Sequence, residues 1–184
     1  MNSLLNGVDA TRLAYLKHHL TISPDNSKAR FDVSTSWQDG MKSASCCHPS
    51  SVSGSVNNAE FAVVCADEPV TLGGGGKSPS PQELMLMAFN ACMSAAYVTN
   101  ATLAGVILEK LQIRTKAMLD LRGFFGTDQT ISPGTEKIQY LITVKGDGSV
   151  EQFEQIHQAV IASSPNRWVI SQGMQIEGDQ IVEK

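Results

Sequence analysis

The feature that most constrains this chain is an apolar segment near its middle, residues 84–98. The sequence before it carries helix-start signals, with Ser80 as a cap, Pro81 at the first helical position and Glu83 three residues after the cap. These signals predict a helix that begins at Pro81 and is closed by Gly105. Because the segment is apolar nearly all round, we expect a buried helix. Its roughly 24 residues would span about 36 Å, which is long enough to be shared between two subunits.

Composition points in the same direction and excludes some classes of function. Charged residues make up 17% of the 184 residues, below the roughly 25% typical of soluble domains. A chain with so little charge is expected to hide an interface as well as a core, which favours an oligomer. The net charge is −4 and no basic run is present, so nucleic-acid binding through a charged patch is not expected.

No targeting or membrane signal is expected from the sequence. The first 20 residues lack a basic start, an apolar core and a small-residue cleavage site, so they do not resemble a signal peptide. The apolar run 84–98 is interrupted by Asn90 and Ser94 and is shorter than the ~20 residues that cross a bilayer. We therefore expect a cytoplasmic protein whose four cysteines are reduced thiols, with no membrane partner.

Before the central helix, periodicity and turn signals predict a helix followed by strands. Leucines at helical spacing predict a surface helix over 8–21. Alternation predicts strands over 29–37 and 41–47, joined by an Asp-Gly turn. The segment 48–58 is rich in Ser, Asn, Gly and Pro and is predicted to be a loop, and a third strand is predicted over 60–66.

After the central helix, the pattern predicts a hairpin, a second helix and a last strand. The hairpin strands cover about 109–122 and 135–145, and the second helix covers 150–162 and stops at Pro165. A last strand is predicted near 174–183. This order of elements is typical of an α+β fold in which antiparallel hairpins pack on helices.

One cysteine, Cys92, lies in the middle of the predicted central helix. It is either a small buried hydrophobic residue, as free cysteines often are, or a nucleophilic thiol. The dipole of its own helix fades after the first turn and does not activate it. Activation would need a cation from elsewhere in the fold.

Four stretches together resemble a known family. They are Asp-Glu-Pro at 67–69, the glycine run 73–76, Ser-Pro-Gln-Glu-Leu at 80–84 and Asn-Ala-Cys at 90–92. The chain thereby resembles the OsmC/Ohr superfamily of osmotically inducible and organic-hydroperoxide-resistance proteins.

The resemblance implies a fold, an assembly and an activity. It implies an OsmC-like fold, with antiparallel sheets packed around a long central helix, in an intertwined homodimer with its active site at the subunit interface. Residues 28–184 would form this domain, and residues 1–27 would be an N-terminal helical extension. Cys92 would be the peroxidatic cysteine, whose thiolate attacks a hydroperoxide and becomes a sulfenic acid. The implied partners are a second copy of the chain and a small-molecule hydroperoxide or apolar ligand. No cofactor or metal is implied beyond an external thiol or dithiol reductant.

The sequence departs from the family pattern at three places. Ser164 stands where the second, disulfide-forming cysteine is usual, and Gln82 stands where many members have glutamate. Glu83 is one residue later. The nine residues from Glu83 to Cys92 turn about 900° on a helix, so the two side chains face opposite sides. Glu83 is therefore better explained as a cap. Gln82, Glu83 and Ser164 remain candidate supporting residues. The family's activating arginine matches no residue securely, with Arg12 and Arg30 as the nearest candidates.

These departures leave two main functional hypotheses. The first is an enzyme that reduces organic hydroperoxides through Cys92 in a one-cysteine mode, with an external thiol reducing the sulfenic acid. The alternative is a non-catalytic OsmC-fold protein that binds a small apolar or thiol-reactive ligand at the dimer interface. The retained Ala91-Cys92 pair favours the first, and Ser164 favours the second. A purely structural protein is a third option.

Other motifs carry weaker signals. Cys-Cys-His at 46–48 suggests a metal, but adjacent strand residues point to opposite faces and chelate poorly. The segment 71–78 ends like a phosphate-binding loop, yet Thr71 stands where the motif requires glycine.

Four further residues are left open by the sequence. Cys65 is a candidate to replace the missing second cysteine. His157 falls on the apolar side of the second helix, as either a hydrogen-bonded core residue or a functional one. Arg167 and Trp168 follow the proline break and would line either the pocket or the dimer surface.

Overall fold

The computed structural model describes residues 4–24 and 27–183. These residues divide into two compact units, the first ending at Ala88 and the second beginning at Phe89. The predicted α+β class, with antiparallel sheets and a long helix, is confirmed. The division at residue 27 and the intertwined dimer stay predictions, and parts of both predicted domains (residues 1–3, 25–26 and 184) lie outside the described residues.

The first unit opens with a strand pair and a helix. Strands β1 (Leu4–Leu5) and β2 (Val8–Asp9) pair antiparallel. Helix α1 covers Ala10–Ile22, which confirms the predicted surface helix. Its start is fixed by Asp9, whose carboxylate accepts the backbone N–H of Arg12 at 3.0 Å.

Short antiparallel strands follow within residues 27–66, in two sheets of three strands ordered β3-β6-β7 and β4-β5-β8. The predicted hairpin is confirmed as the β4–β5 pair, with Gly40 at positive φ in its turn. The strand predicted over 60–66 is shorter than expected and is β8 alone. The strands are β3 (Ala29–Arg30), β4 (Val33–Asp39), β5 (Lys42–Cys47), β6 (Ser50–Val52), β7 (Ser55–Asn57) and β8 (Val64–Ala66).

The loop predicted over 48–58 is wrong, because this segment folds back as the hairpin β6–β7. Its two turn residues, Ser53 and Gly54, have φ of 50° and 76°. Two consecutive positive φ values match the twist that a two-residue hairpin turn requires. The polar composition indicated a surface segment correctly, but Ser-Gly is a weaker hairpin signal than Asn-Gly or Asp-Gly.

The glycine run is held in a defined conformation by a buried carboxylate. Asp67 is buried and accepts the backbone N–H groups of Gly75 (3.1 Å) and Lys77 (3.3 Å). These bonds, that of Gly75 foremost, lower the pKa of Asp67. A side chain on Gly74 would meet the backbone oxygen of Glu68 at 1.8 Å, so glycine is required there. The glycine run is thus a packed loop, in which the N–H groups of Gly75 and of the adjacent Lys77 bind an internal carboxylate.

The central helix α2 covers Pro81–Leu103, in agreement with the prediction. At its start, the Ser80 hydroxyl accepts the N–H of Glu83 (3.3 Å), and the Glu83 carboxylate accepts the N–H of Ser80 (2.7 Å), so the predicted capping box is confirmed. At its end, Gly105 has φ of 73° and the N–H of Val106 donates to Ala101 at 2.9 Å. This arrangement is the Schellman ending that glycine makes accessible.

The second unit contains a long hairpin and further helices. Strands β9 (Leu108–Ala117) and β10 (Ile138–Gly146) pair antiparallel, as predicted, although β9 ends at Ala117 and not near residue 122. The short helix α3 (Leu121–Phe124) lies in the connection between them. Helix α4 (Val150–Ser163) confirms the second predicted helix and has its capping box at its start. Helix α5 covers Pro165–Gln172.

At the end of the chain one prediction is incomplete and one is wrong. Pro165 does stop α4, but it also occupies the first turn of the unpredicted helix α5, where its missing N–H costs nothing. The segment 174–183 forms no strand in the described part of the chain. Its alternating Met174 and Ile176 predict one apolar face, but a strand also needs a partner to complete its hydrogen bonds.

The core of the second unit is one stripe along α2. Phe89, Met93, Tyr97 and Ala101 recur every four residues and are at most 3% exposed. They pack with the inward side chains of the hairpin and of α4, which are Leu108, Leu111, Ile113, Tyr140, Ile142, Val144, Phe153, Ile156 and Val160.

The rest of α2 is less buried than its composition predicts. Met85 and Met87 are exposed in the single chain, 39% and 51% respectively, so burial on every face is not observed.

By length and hydropathy alone, the helix Pro81–Leu103 is long enough to cross a membrane, whereas the apolar run 84–98 was expected to be too short. Core helices pass the same criterion, and α2 is the core helix of this fold.

The capping box at the start of α2 makes stability depend on pH. The Ser80 N–H, and then its hydroxyl, lower the pKa of Glu83 below its ordinary 4.5. A lowered native pKa contributes stability above pH 4.5 that is lost as the pH falls through the native value. We expect Glu83→Gln to lower Tm at pH 7, and the difference from wild type to narrow below pH 4.5. Thermal unfolding between pH 7 and 3 measures this, with the exposed Glu177→Gln as control. A difference that is constant with pH contradicts the prediction.

Candidate functional site

Cys92 is positioned by the same packing that forms the core. It lies on α2 one residue before the fully buried Met93, and its thiol is free and half-buried. Two residues earlier, Asn90 accepts a hydrogen bond from Thr115 of β9. The buried stripe and this bond fix the rotation of α2, and the rotation sets the direction in which the cysteine points.

The junction between α4 and α5 is a tight, buried corner. Ser164 is 1% exposed and serves both helices, since its N–H donates to Val160 of α4 (3.0 Å) and its carbonyl accepts from Trp168 of α5 (3.0 Å). Pro165 occupies the first position of α5. Arg167 reaches back and donates from its guanidinium to the carbonyl of Ile161 at 3.1 Å, which ties the last turn of α4 to the first turn of α5.

The sulfur of Cys92 meets this corner. The Ser164 hydroxyl donates to Cys92 Sγ at 3.3 Å, and the backbone N–H of Asn166 donates to the same atom at 3.5 Å. Asn166 is the second residue of α5, so the sulfur lies at the N-terminus of that helix. Helix N-termini carry partial positive charge and favour an anion over a neutral group. The sulfur of Cys92 thus accepts two hydrogen bonds, one from a side chain and one from the first turn of a helix.

Sequence reasoning found two of the three members of this site. Cys92 and Ser164 were predicted, and the structure brings them together across 72 residues of chain. It missed Asn166, because Pro165 was interpreted only as a stop and the dipole considered was that of α2. The available signal was Ser-Pro itself, a frequent start for a helix.

The remaining predicted supporting residues lie in the first unit. Gln82 is half-buried on the first turn of α2, and the Glu83 carboxylate is bound to Ser80 in the capping box. Arg12 is exposed on α1, and Arg30 pairs with Asp32 at 3.4 Å. Supporting roles for these residues at Cys92 stay predictions.

The family assignment rests on a match that includes the whole corner. A sequence model of the family described as OsmC-like protein matches residues 74–177, more than half of the chain. This chain belongs to the OsmC-like protein family. The matched region contains α2 with Cys92 and both helices of the α4–α5 corner. No curated protein sequence matches the chain.

Solved structures of the family share the fold of this OsmC-like protein. An OsmC-like protein from Mycoplasma pneumoniae is 12% identical, with a TM-score of 0.61 over 78% of this chain and 89% of that one. An organic hydroperoxide resistance protein from Legionella pneumophila is 17% identical, with a TM-score of 0.53 over 79% and 93%. A putative organic hydroperoxide resistance protein from Vibrio cholerae, with captopril bound in one of its active sites, is 15% identical, with a TM-score of 0.50 over 77% and 85%. At these identities the similarity establishes the fold.

The other sequence candidates of this OsmC-like protein fall elsewhere. Among the described residues, no group of three or more His, Cys, Asp and Glu side chains is placed to hold a metal ion. Cys65 is exposed on β8 in the first unit. His157 is half-buried and shares a hydrogen bond with the Tyr140 hydroxyl at 3.1 Å, which supports the core interpretation. Trp168 is 57% exposed on α5.

A cavity of about 910 Å³ lies at the end of the β9–β10 hairpin where the connection that contains α3 joins the two strands. Its walls combine the cations Lys116, Arg122 and Lys137 with apolar side chains such as Leu121 and Ile131. Neither Cys92 nor any residue of the α4–α5 corner lines it. The corner is therefore a separate site with its own chemistry.

The Ser164 hydroxyl is expected to control the reactivity of Cys92. Ser164→Ala removes one donor to the sulfur, and the loss of a hydrogen bond of about 0.5–1.5 kcal/mol corresponds to a roughly two- to tenfold loss of reactivity at Cys92. We expect alkylation of Cys92 by iodoacetamide at pH 7 to slow by this factor, measured by peptide mass spectrometry.

The matched control is Ser163→Ala, because the neighbouring Ser163 is exposed and its hydroxyl donates to the Ala159 carbonyl within α4 (2.7 Å). This variant should alkylate at the wild-type rate. An unchanged or faster rate in Ser164→Ala would show that this contact does not support the reactivity of Cys92.

Proposed function

We propose that this OsmC-like protein is an enzyme that reduces organic hydroperoxides with external thiols, using Cys92 as its nucleophile in a one-cysteine mode. The observation that carries the proposal is the pair of donors, the Ser164 hydroxyl and the Asn166 N–H, directed at Cys92 Sγ. A buried hydrophobic cysteine needs no such pair. The Legionella pneumophila structure, an organic hydroperoxide resistance protein of the same fold, supports the substrate class.

The first step is attack of the Cys92 thiolate on one oxygen of the peroxide bond. The new bond joins sulfur to that oxygen, the O–O bond breaks, and the other oxygen leaves with the electron pair and takes up a proton as an alcohol. Sulfur is oxidised by two electrons to the sulfenic acid, and the peroxide is reduced. The donors that hold the sulfur serve this step by maintaining the attacking thiolate.

The second step needs reductant from outside the chain. Ser164 lies where a resolving cysteine would close a disulfide, and its hydroxyl cannot do so. One external thiol attacks the sulfenic sulfur, forms a mixed disulfide and releases water. A second thiol, or the second group of a dithiol, attacks that disulfide and frees Cys92 while the reductant leaves as a disulfide. This cycle requires no resident cofactor.

The proposal includes a homodimer with the site at its interface and a cytoplasmic location. The low charge of the chain supports an interface. The cytoplasm supplies the reduced thiols that a one-cysteine cycle consumes.

A second candidate function is non-catalytic binding of a small apolar or thiol-reactive ligand at the Cys92 site. Ser164 favours it, since the chain lacks a disulfide partner beside Cys92. The Vibrio cholerae relative, which holds captopril in an active site, supports small-molecule binding by this fold. Turnover distinguishes the two, because binding alone consumes at most one equivalent of peroxide.

Replacement of the nucleophile tests the catalytic proposal. Wild-type protein should consume cumene hydroperoxide with dithiothreitol or dihydrolipoamide over many turnovers, measured by loss of peroxide. Cys92→Ser should reduce the rate to that of the free thiol, because a serine hydroxyl is not ionised at neutral pH. Cys47→Ser, at an exposed position on β5 of the first unit, should keep the wild-type rate. Equal rates for wild type and Cys92→Ser exclude the peroxidase function.

The geometry also predicts that a cysteine introduced at residue 164 can form a disulfide with Cys92. Ser164 Oγ lies 3.3 Å from Cys92 Sγ, so a small side-chain adjustment brings a thiol at this position to the ~2.0 Å of a disulfide. We expect one equivalent of hydroperoxide to link Cys92 to the introduced thiol of Ser164→Cys, with loss of two hydrogens by mass. Ser163→Cys, exposed and directed along α4, should instead leave Cys92 as a sulfenic acid. Equal cross-linking of both variants, or of neither, contradicts this geometry.

A further inference from the structure

A row of polar side chains crosses the β4–β5 hairpin of the first unit. The register places Ser34 of β4 directly opposite Cys46 of β5. Side chains two residues apart share a face of a strand, so His48 follows Cys46 on the same face. The ladder continues past the end of β5, since the His48 N–H donates to the carbonyl of Asp32 at 2.9 Å.

Ser34 connects the other two side chains. Its hydroxyl lies 3.3 Å from Cys46 Sγ and 2.8 Å from His48 Nε2. All three residues are exposed in the chain. With Nε2 unprotonated, the serine O–H donates to the imidazole and its oxygen accepts from the thiol, which gives a continuous path for a proton from sulfur to histidine.

The neighbouring side chains set this row apart. The carboxylate of Asp32 is paired with Arg30 at 3.4 Å. Cys47, the next residue along β5, points to the opposite face and stands opposite Val33. Thr35 and Ser45 form their own hydroxyl pair at 2.8 Å on that opposite face. Cys46 is therefore connected to a base, His48, through Ser34, and the adjacent Cys47, on the opposite face, serves for comparison.

We propose that Cys46 is a second reactive thiol, a site of reversible modification by low-molecular-weight disulfides, with Ser34 and His48 relaying its proton. A base connected to a nucleophile through a hydroxyl activates the nucleophile without a fixed cation. The site is independent of the reaction proposed for Cys92.

The proposed exchange begins with two coupled proton transfers. The Cys46 proton passes to the Ser34 oxygen as the Ser34 proton passes to His48 Nε2, which leaves a thiolate and an imidazolium. The thiolate attacks one sulfur of the disulfide, its S–S bond breaks, and a mixed disulfide forms on Cys46. The released thiolate takes a proton, and His48 returns to its neutral form. Excess thiol reverses the modification by the same route.

The test measures the rate at which each cysteine of the folded full-length protein reacts with 4,4′-dithiodipyridine. Peptide mass spectrometry after quenching assigns the modification to individual residues. Cys46 should react about tenfold faster than Cys47, and Ser34→Ala and His48→Gln should each remove most of this advantage. Ser34→Thr keeps the hydroxyl and should retain it.

Thr35→Ala is the matched control, because it removes a cross-strand hydroxyl pair from the opposite face of the same strands. It should leave the Cys46 rate within twofold of wild type. In every variant the rate at Cys47 reports whether the hairpin is intact. If Ser34→Ala changes the Cys47 rate, the Cys46 rates in Ser34→Thr and His48→Gln decide whether the proposal holds. Equal Cys46 and Cys47 rates in the wild type, or a Cys46 rate unchanged in His48→Gln, overturn the proposal.

Discussion

The packing of one stripe of α2 is the constraint on which the second unit depends. Phe89, Met93, Tyr97 and Ala101 lie beneath the β9–β10 hairpin and α4 and are almost completely buried. A helix whose stripe is fixed can neither rotate nor slide, so every other residue of α2 has a fixed direction. Cys92 is held beside this stripe, half-buried, with its sulfur against the α4–α5 corner. The position of the Cys92 sulfur is thus a consequence of core packing.

The corner itself is shaped by residues with more than one role. Ser164 ends α4, begins α5 and donates its hydroxyl to the sulfur. The guanidinium of Arg167 binds the α4 carbonyl of Ile161 and so fixes the angle at which α5 leaves. Ser164 makes a polar contact with Cys92 but cannot form a disulfide with it, so the proposed reaction would depend on thiols from solution.

The sequence predicted those parts of the structure that depend on local signals. The capping box at Ser80 and the glycine ending at Gly105 lie within a few residues of the turns they stabilise, and the sequence predicted both. The β6–β7 hairpin was missed because Ser53 adopts a positive φ that its identity does not favour. The prediction of a strand near 174–183 is wrong because alternating residues indicate an apolar face but do not show which strand would pair with it.

The candidate site was predictable only in part, because its contacts join residues that are far apart in the sequence. Cys92 and Ser164 were identified by resemblance to a family pattern, since the donors to the sulfur lie 72 and 74 residues away in sequence. Contacts of such separation follow from packing, and neither periodicity nor composition contains them. The hydrogen bonds of Ser34 to Cys46 and His48 were missed because the Cys-Cys-His motif was considered only as a set of metal ligands, without its cross-strand neighbour.

Helix α5 has an unusual first turn. Ser164 occupies its cap position, yet its side chain makes no capping bond and is directed at the sulfur instead. The acceptor for the N–H of Asn166 is Cys92 Sγ, so a cysteine from another helix does what a cap side chain ordinarily does. The first turn of α5 is therefore sensitive to the oxidation state of that sulfur. A change in charge or size at Cys92 is transmitted as a change in helix capping, which links the chemistry of one atom to the stability of a whole element.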